Sequence, residues 1–147
     1  MNVVVTPSLQ QRIIEEMVAS YPNEGGGFLF GAVEDGAVRI AEVTRVENTY
    51  PTEEQYHRYA MRPQDWVRLE DLAEASGLSL VGYYHSHPDS PAIPSVFDRD
   101  HALPNFVYII TSVQQGEARE MRVWQLDPDR TRFAEETLVI DSAASAP

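Results

Sequence analysis

A strand that runs straight into two histidines places the strongest constraint on this chain. Leu78 to Tyr84 reads as a buried strand, and His85-Ser86-His87-Pro88-Asp89-Ser90-Pro91-Ala92-Ile93-Pro94-Ser95-Val96-Phe97-Asp98 follows at once. Side chains alternate faces along a strand, so His85 and His87 point the same way and two imidazoles on one face can share an ion. Three prolines among the ten residues between His87 and Asp98 stiffen a loop that can return the Asp98 carboxylate to that pair. Two nitrogens and one carboxylate oxygen suit zinc, and three protein ligands leave a fourth position for water, as catalytic zinc is held. Taken apart, the pieces are ordinary. His-x-His recurs by chance, and Ser95-x-x-Asp98 after a proline also fits a capping box opening a helix from Ser95 to Leu103.

Joined, His-x-His-Pro, a loop and Pro-Ser-x-x-Asp resemble the signature of the JAMM (MPN-plus) metallopeptidase family. The resemblance demands a glutamate at the mouth of a glycine-rich strand, and Glu24 stands before Gly25-Gly26-Gly27-Phe28-Leu29-Phe30-Gly31. A cysteine or another small residue usually separates this glutamate from the glycine matching Gly27; here Gly25 and Gly26 keep the small size. Without the downstream motif, Glu24 would read as a solvated loop carboxylate. The outline extends to Asn48 after a strand and to Tyr59-Ala60-Met61-Arg62-Pro63 entering the second helix. The resemblance implies one zinc per chain on His85, His87 and Asp98, with Glu24 as acid/base and Ser95 as oxyanion stabiliser. It also implies a curved, mostly antiparallel mixed sheet packed between helices, cytidine-deaminase-like, with zinc at its edge. Families of this type cut after the Gly-Gly tail of ubiquitin-like proteins. A single short domain looks like the prokaryotic branch, whose implied substrates are small sulfur-carrier proteins.

The chain of 147 residues, 43% hydrophobic, is one domain's worth, expected over residues 1–140 with a disordered tail at 141–147. No run has the length of apolar residues that spans a membrane, and the N-terminus lacks the order of a secretion signal, so the expectation is a cytoplasmic protein. The chain contains no cysteine, which excludes disulfides and thiolate nucleophiles and leaves any metal to His and carboxylate. With 11 basic against 23 acidic residues, net −12, the composition argues against a nucleic-acid partner. A solvated acidic surface, a basic partner and a salty cytoplasm all remain open, as does the oligomeric state.

Strands and helices interleave along the chain. Val3 to Val5 reads as a short strand, and Thr6-Pro7 caps a helix running to Ser20, whose Leu9, Ile13, Met17 and Ile14, Val18 form an apolar stripe. Phe28 to Val33 and Ala37 to Val46 form a hairpin through Glu34-Asp35-Gly36, with Val38, Ile40 and Val43 on the packing side. Glu47 to Arg62 is polar and aperiodic and reads as a loop, and its Tyr50, Tyr56 and Tyr59 either line a peptide groove or pack on the sheet. His57 lies outside every motif and is expected at the surface. Pro63 to Ser76 reads as a helix with Trp66, Leu69 and Ala73 on one face, closed by Gly77. His101 follows Asp98 by one turn as a neighbour of the ligand set. Phe106 to Thr111, Glu120 to Leu126 and Phe133 to Ile140 are three further strands, with turns at Gln114-Gln115-Gly116 and Asp127-Pro128-Asp129. Strands in neighbouring pairs with helices between them specify an α+β domain.

The chemistry follows from residue types alone. Zinc brings the pKa of bound water to about 7 and polarises a carbonyl, and a carboxylate that is not a ligand must carry the proton. On the resemblance that carboxylate would be Glu24, while the Ser95 hydroxyl could donate to an oxyanion. The chain therefore reads as a zinc hydrolase of peptide or isopeptide bonds acting on a ubiquitin-like or sulfur-carrier protein, whose tail would pair with an edge strand. One rival is a non-catalytic MPN-type scaffold module for ubiquitin-like partners, against which all five positions are filled. Another is a zinc nucleobase deaminase, which wants cysteine ligands and a His-x-Glu.

Overall fold

The computed structural model describes residues 1–46 and 63–142. Asn48, Tyr50, Tyr56, His57 and Tyr59 lie outside the described residues, as do the side chains of Trp66 and His101. The elements run β1 (Asn2–Val5), α1 (Pro7–Ser20), β2 (Gly26–Glu34), β3 (Ala37–Val46), α2 (Pro63–Ala75), β4 (Ser79–Pro88), α3 (Val96–His101), β5 (Val107–Gln114), β6 (Glu117–Leu126) and β7 (Phe133–Ile140). None of the described helices is long and apolar enough to cross a membrane.

Local chemistry accounts for the ends of these elements. Thr6 Oγ1 accepts the Leu9 amide at 3.2 Å and Pro7 opens α1, where a missing N–H is not needed. Asp35 and Gly36 turn the β2–β3 hairpin with φ of 51° and 75°, and Gln115 and Gly116 repeat the arrangement between β5 and β6. Both φ values are positive, as a two-residue primed turn requires. Ile40 and Val43 are an odd number apart yet both buried with Val38. The register against β2 jumps from Phe30↔Glu42 to Gly31↔Ile40, leaving Ala41 as an extra residue that resets the alternation.

The α+β class stands, with a correction to its sheet. The seven strands close on themselves in the order β1-β3-β2-β4-β5-β6-β7, because β1 runs parallel to both β3 and β7. The β4–β5 pair is also parallel, and the remaining pairings are antiparallel. Among the described strands, closure leaves no whole edge strand to receive a peptide tail. Among the described residues, strand-free backbone occurs only in part-strands such as residues 40–46 of β3 on the side away from β2. The histidine strand lies between β2 and β5, so the site stands at the end of an internal strand and not at a sheet edge.

Helices cover both faces. On one, Ile13 and Met17 of α1 pack with Val5, Leu29, Ile40, Tyr84 and Ile109; on the other, Leu69 and Ala73 of α2 pack with Phe28, Phe30, Tyr83 and Tyr108. A strand buried on both faces carries a continuous apolar run instead of an alternating one, which is what β2, β4 and β5 show. At the C-terminal end, the Asp141 amide donates to the Val5 carbonyl at 2.9 Å and its carboxylate reaches Arg39, while residues 143–147 lie outside the described set.

Candidate metal centre and catalytic cleft

Strand β4 continues through the polar residues His85-Ser86-His87-Pro88 because β5 keeps pairing with it, Ser86 opposite Thr111 and His87 opposite Ser112. This run exceeds the expected end at Tyr84 and fixes both histidines on regular strand backbone. Their rings sit on the α2 face with centroids 5.1 Å apart, next in line after Tyr83. Both are buried, His85 at 2% exposure and His87 at 7%.

Asp98 returns to the pair from the first turn of α3. Its Oδ1 stands 3.2 Å from His85 Nε2 and its Oδ2 3.0 Å from His87 Nε2. One ligand atom from each of His85, His87 and Asp98 lies within 4.8 Å of the others, a group that could hold a metal ion. Bonds of about 2.0–2.1 Å to a tetrahedral ion imply ligand–ligand edges near 3.3 Å, close to both His–Asp distances. The proton placement agrees. His87 Nδ1 lies 2.8 Å from the Pro91 carbonyl, an acceptor only, so Nδ1 carries the hydrogen. In the neutral ring Nε2 then turns a lone pair towards an Asp98 oxygen, and a cation between the two satisfies both. Burial works against the charge on Asp98, but the His85 and His87 rings beside it outweigh that penalty and hold its carboxyl well below the usual range. Asp98 is therefore a carboxylate ready to ligate.

Ser95 caps α3. Its Oγ accepts the Asp98 amide at 3.1 Å, and its own amide donates to Asp98 Oδ2 at 2.9 Å, a reciprocal capping box. Capping and oxyanion stabilisation are compatible, because capping uses a lone pair and leaves the hydroxyl hydrogen free to donate elsewhere. Glu24 lies just ahead of β2 and is 4% exposed. It lines a cleft of roughly 500 Å³ together with His87, Ser95, Pro91, Ile93 and Val96. All five residues singled out by the motif thus meet in one place, three as a group that could hold a metal ion and two on the cleft wall beside it.

The glycines after Glu24 prove to be packing requirements. A Cβ at Gly25 would collide with the Ser20 side chain, one at Gly26 with the Tyr83 hydroxyl, and one at Gly27 with the Thr44 carbonyl and the Tyr84 hydroxyl. Close approach of neighbouring atoms fills these positions with glycine.

Several supporting residues escape a reading of the sequence. Ser86, between the two histidines, faces the opposite side; its Oγ accepts the Gly25 amide at 2.9 Å and its amide donates to the Gly25 carbonyl at 3.0 Å. The loop from Pro88 to Pro94 is held carbonyl by carbonyl. Ser112 Oγ donates to the Ser90 carbonyl at 2.5 Å, His87 Nδ1 to that of Pro91, and Trp124 Nε1 to that of Ala92 at 3.0 Å. Only the middle position of Ser86 carried a sequence signal, since alternation turns it away from the face that His85 and His87 share.

The chain is similar to several known proteins. A 55-residue stretch is 42% identical to a desampylase of Haloferax volcanii, covering 37% of this chain and 40% of that protein. A longer stretch is 33% identical to the "Probable TtuB-protein conjugate cleaving protease" of Thermus thermophilus, covering 60% of this chain and 55% of that protein. The solution structure of a protein from Salinibacter ruber, 38% identical, superimposes with a TM-score of 0.73 over 97% of this chain and 94% of that one. The model for prokaryotic homologs of the JAB domain matches residues 6–127, and with the JAMM-type constellation assembled at the end of β4 the chain belongs to that family.

Proposed function

We propose that this protein is a zinc-dependent hydrolase of peptide or isopeptide bonds that cuts after the Gly-Gly tail of a ubiquitin-like sulfur-carrier protein. The observation that carries the reading is the placement of a buried carboxylate and a hydroxyl, Glu24 and Ser95, on one cleft wall with the ligand histidine His87. Support for the substrate class comes from relatives named as a desampylase and as a protease of TtuB–protein conjugates. Bound zinc supplies an acidified water and a polarised carbonyl.

The chain's own residues do the remainder. His85, His87 and Asp98 hold the ion, with the Pro91 carbonyl fixing the tautomer of His87. Glu24 takes the proton of the attacking water and returns it to the leaving amine, whether that amine is a lysine side chain or a C-terminal amino acid. The hydroxyl hydrogen of Ser95 donates to the oxyanion of the tetrahedral intermediate. Ile93 and Val96, 49% and 65% exposed on the cleft rim, offer apolar contact to the extended tail. Glycines at the scissile end of that tail let its backbone pass close to the ligand set.

Glu24→Gln tests the assignment. The variant is expected to bind one zinc per chain, as the parent does, and to lose about 10²–10⁴ of the rate on a sulfur-carrier protein bearing a lysine-linked adduct, followed by mass spectrometry. An undiminished rate removes Glu24 from proton transfer, and lost zinc makes it a ligand. A parent that binds zinc and leaves the adduct intact is the outcome of a scaffold module.

A further inference from the structure

Glu24 stands on a short segment, Tyr21-Pro22-Asn23-Glu24, between the end of α1 and the start of β2. Its C-terminal side is pinned to β4 by the two Gly25–Ser86 hydrogen bonds. Its N-terminal side is pinned as well, by a residue with no place in the motif. Tyr21 caps α1, its amide donating to the Val18 carbonyl at 3.2 Å while its ring packs against the core that holds Ile13 and Met17. From there its hydroxyl donates to Asp89 Oδ2 at 2.8 Å, across 68 positions of sequence.

Asp89 is built to receive it. It sits two residues beyond His87 with a left-handed φ of 53°, a conformation with a steric cost that its surroundings maintain. Its amide donates to the Val113 carbonyl at 2.8 Å, and its Oδ1 accepts the Gln115 amide at 2.8 Å. One carboxylate thus joins the end of α1, the loop that carries the metal-site geometry forward from His87, and the β5–β6 turn. Glu24 lies between this contact and the Ser86 contact, so both ends of its segment are referenced to β4, the strand that bears two of the three ligands.

We infer that Tyr21 and Asp89 are positioning residues for catalysis: their hydrogen bond fixes the Glu24 segment against the metal-binding strand, so that the proton-carrying carboxylate meets the attacking water in register. The inference rests on the role proposed above for Glu24. Neither residue touches the reacting atoms; both act through the placement of Glu24. Proton transfer is steep in distance, and a displacement of about 1 Å can cost up to 10²-fold in rate.

Tyr21→Phe removes the hydrogen bond and keeps the ring's packing, and Asp89→Ala removes it from the other side. Both zinc-loaded variants are expected to keep one zinc per chain and a KM within about twofold of the parent, with kcat lower by about tenfold. The double variant should be no slower than the worse single one, because the two share one contact. Amide hydrogen exchange at Gly25 and Gly26, read by NMR on the metal-free proteins, supplies a measure independent of activity. It should quicken by about tenfold or more in each variant, as expected for local opening of a released segment. Faster exchange with a lower kcat supports the inference. Faster exchange with an unchanged kcat overturns the positioning role, and unchanged exchange overturns the latch itself. A parent inert towards every conjugate while exchange still quickens in the variants faults the hydrolase reading and leaves the latch standing.

Discussion

At the scale of single residues, the site economises by giving each side chain two tasks. Asp98 accepts the Ser95 amide and faces both histidines; Ser95 accepts the Asp98 amide and, in the proposed mechanism, donates its hydroxyl hydrogen to substrate. Ser95→Ala separates these tasks by measurement. Loss of the cap should cost about 1 kcal/mol, seen as a melting point lower by about 2–4 °C. Loss of an oxyanion donor should lower kcat by about 10²–10³. Ser95→Thr, which keeps the hydroxyl, should retain most of both. A melting point that falls while kcat drops less than about threefold would make Ser95 a cap and nothing more. The five motif positions were legible because their chemistry depends on residue type at fixed spacing. Pro91, Ser112 and Trp124 were not, since a carbonyl, a hydroxyl and an indole that hold a loop have no distinguishing pattern. Tyr21 and Asp89, 68 positions apart, left no local trace at all.

At the scale of elements, strand pairing overrides residue preference. His85-Ser86-His87-Pro88 is a polar sequence that ends a strand when read locally, yet it pairs residue for residue with Ile110 to Val113 of β5. Periodicity recorded the apolar part of β4 and could not record a partner supplied 25 residues later. Helix α3 shows the reverse error: an expected span from Ser95 to Leu103 contracts to Val96–His101, because the chain leaves helical geometry at Ala102, φ −83° and ψ 158°. The glycines beside Glu24 keep the small size the motif asks for, and the structure gives the reason as close approach: Gly26 and Gly27 of β2 lie against Tyr83, Tyr84 and the backbone of Thr44. Gly27 lies between the backbone of Thr44 and the fully buried Tyr84, so a methyl group there has no soft neighbour to displace. Gly27→Ala is expected to destabilise the fold by about 2–3 kcal/mol, the cost of overpacking a filled core, or about 5–10 °C in melting point. Thermal melts of the metal-free protein check this, and a change under about 1 °C would mean that β3 gives way at no cost.

At the scale of the whole molecule, a closed sheet of seven strands forms a frame on which the segments of the site are separately mounted. The closure was not legible, because it depends on β1, whose Asn2 pairs with both Ala37 and Thr137, and a run of three valines does not name its partners. The frame brings the proposed ligands from two places, the end of β4 and the start of α3, and the proposed acid/base from a third before β2. Metal held this way binds the native state and not the unfolded chain, so its binding free energy adds to stability. At a free zinc concentration about 100 times its Kd the gain is about 2.7 kcal/mol, which for a domain of this size is about 5–10 °C in melting point. Chelation should therefore lower the melting point of the parent by about that amount, and restoring zinc should reverse it. Glu24→Gln, which keeps the ligands, should show the same shift. His85→Ala/His87→Ala should melt at one temperature with or without chelator, since Asp98 alone cannot retain the ion. An equal chelator shift in that double variant would place the stabilising metal outside His85, His87 and Asp98 and would overturn the assignment of the site.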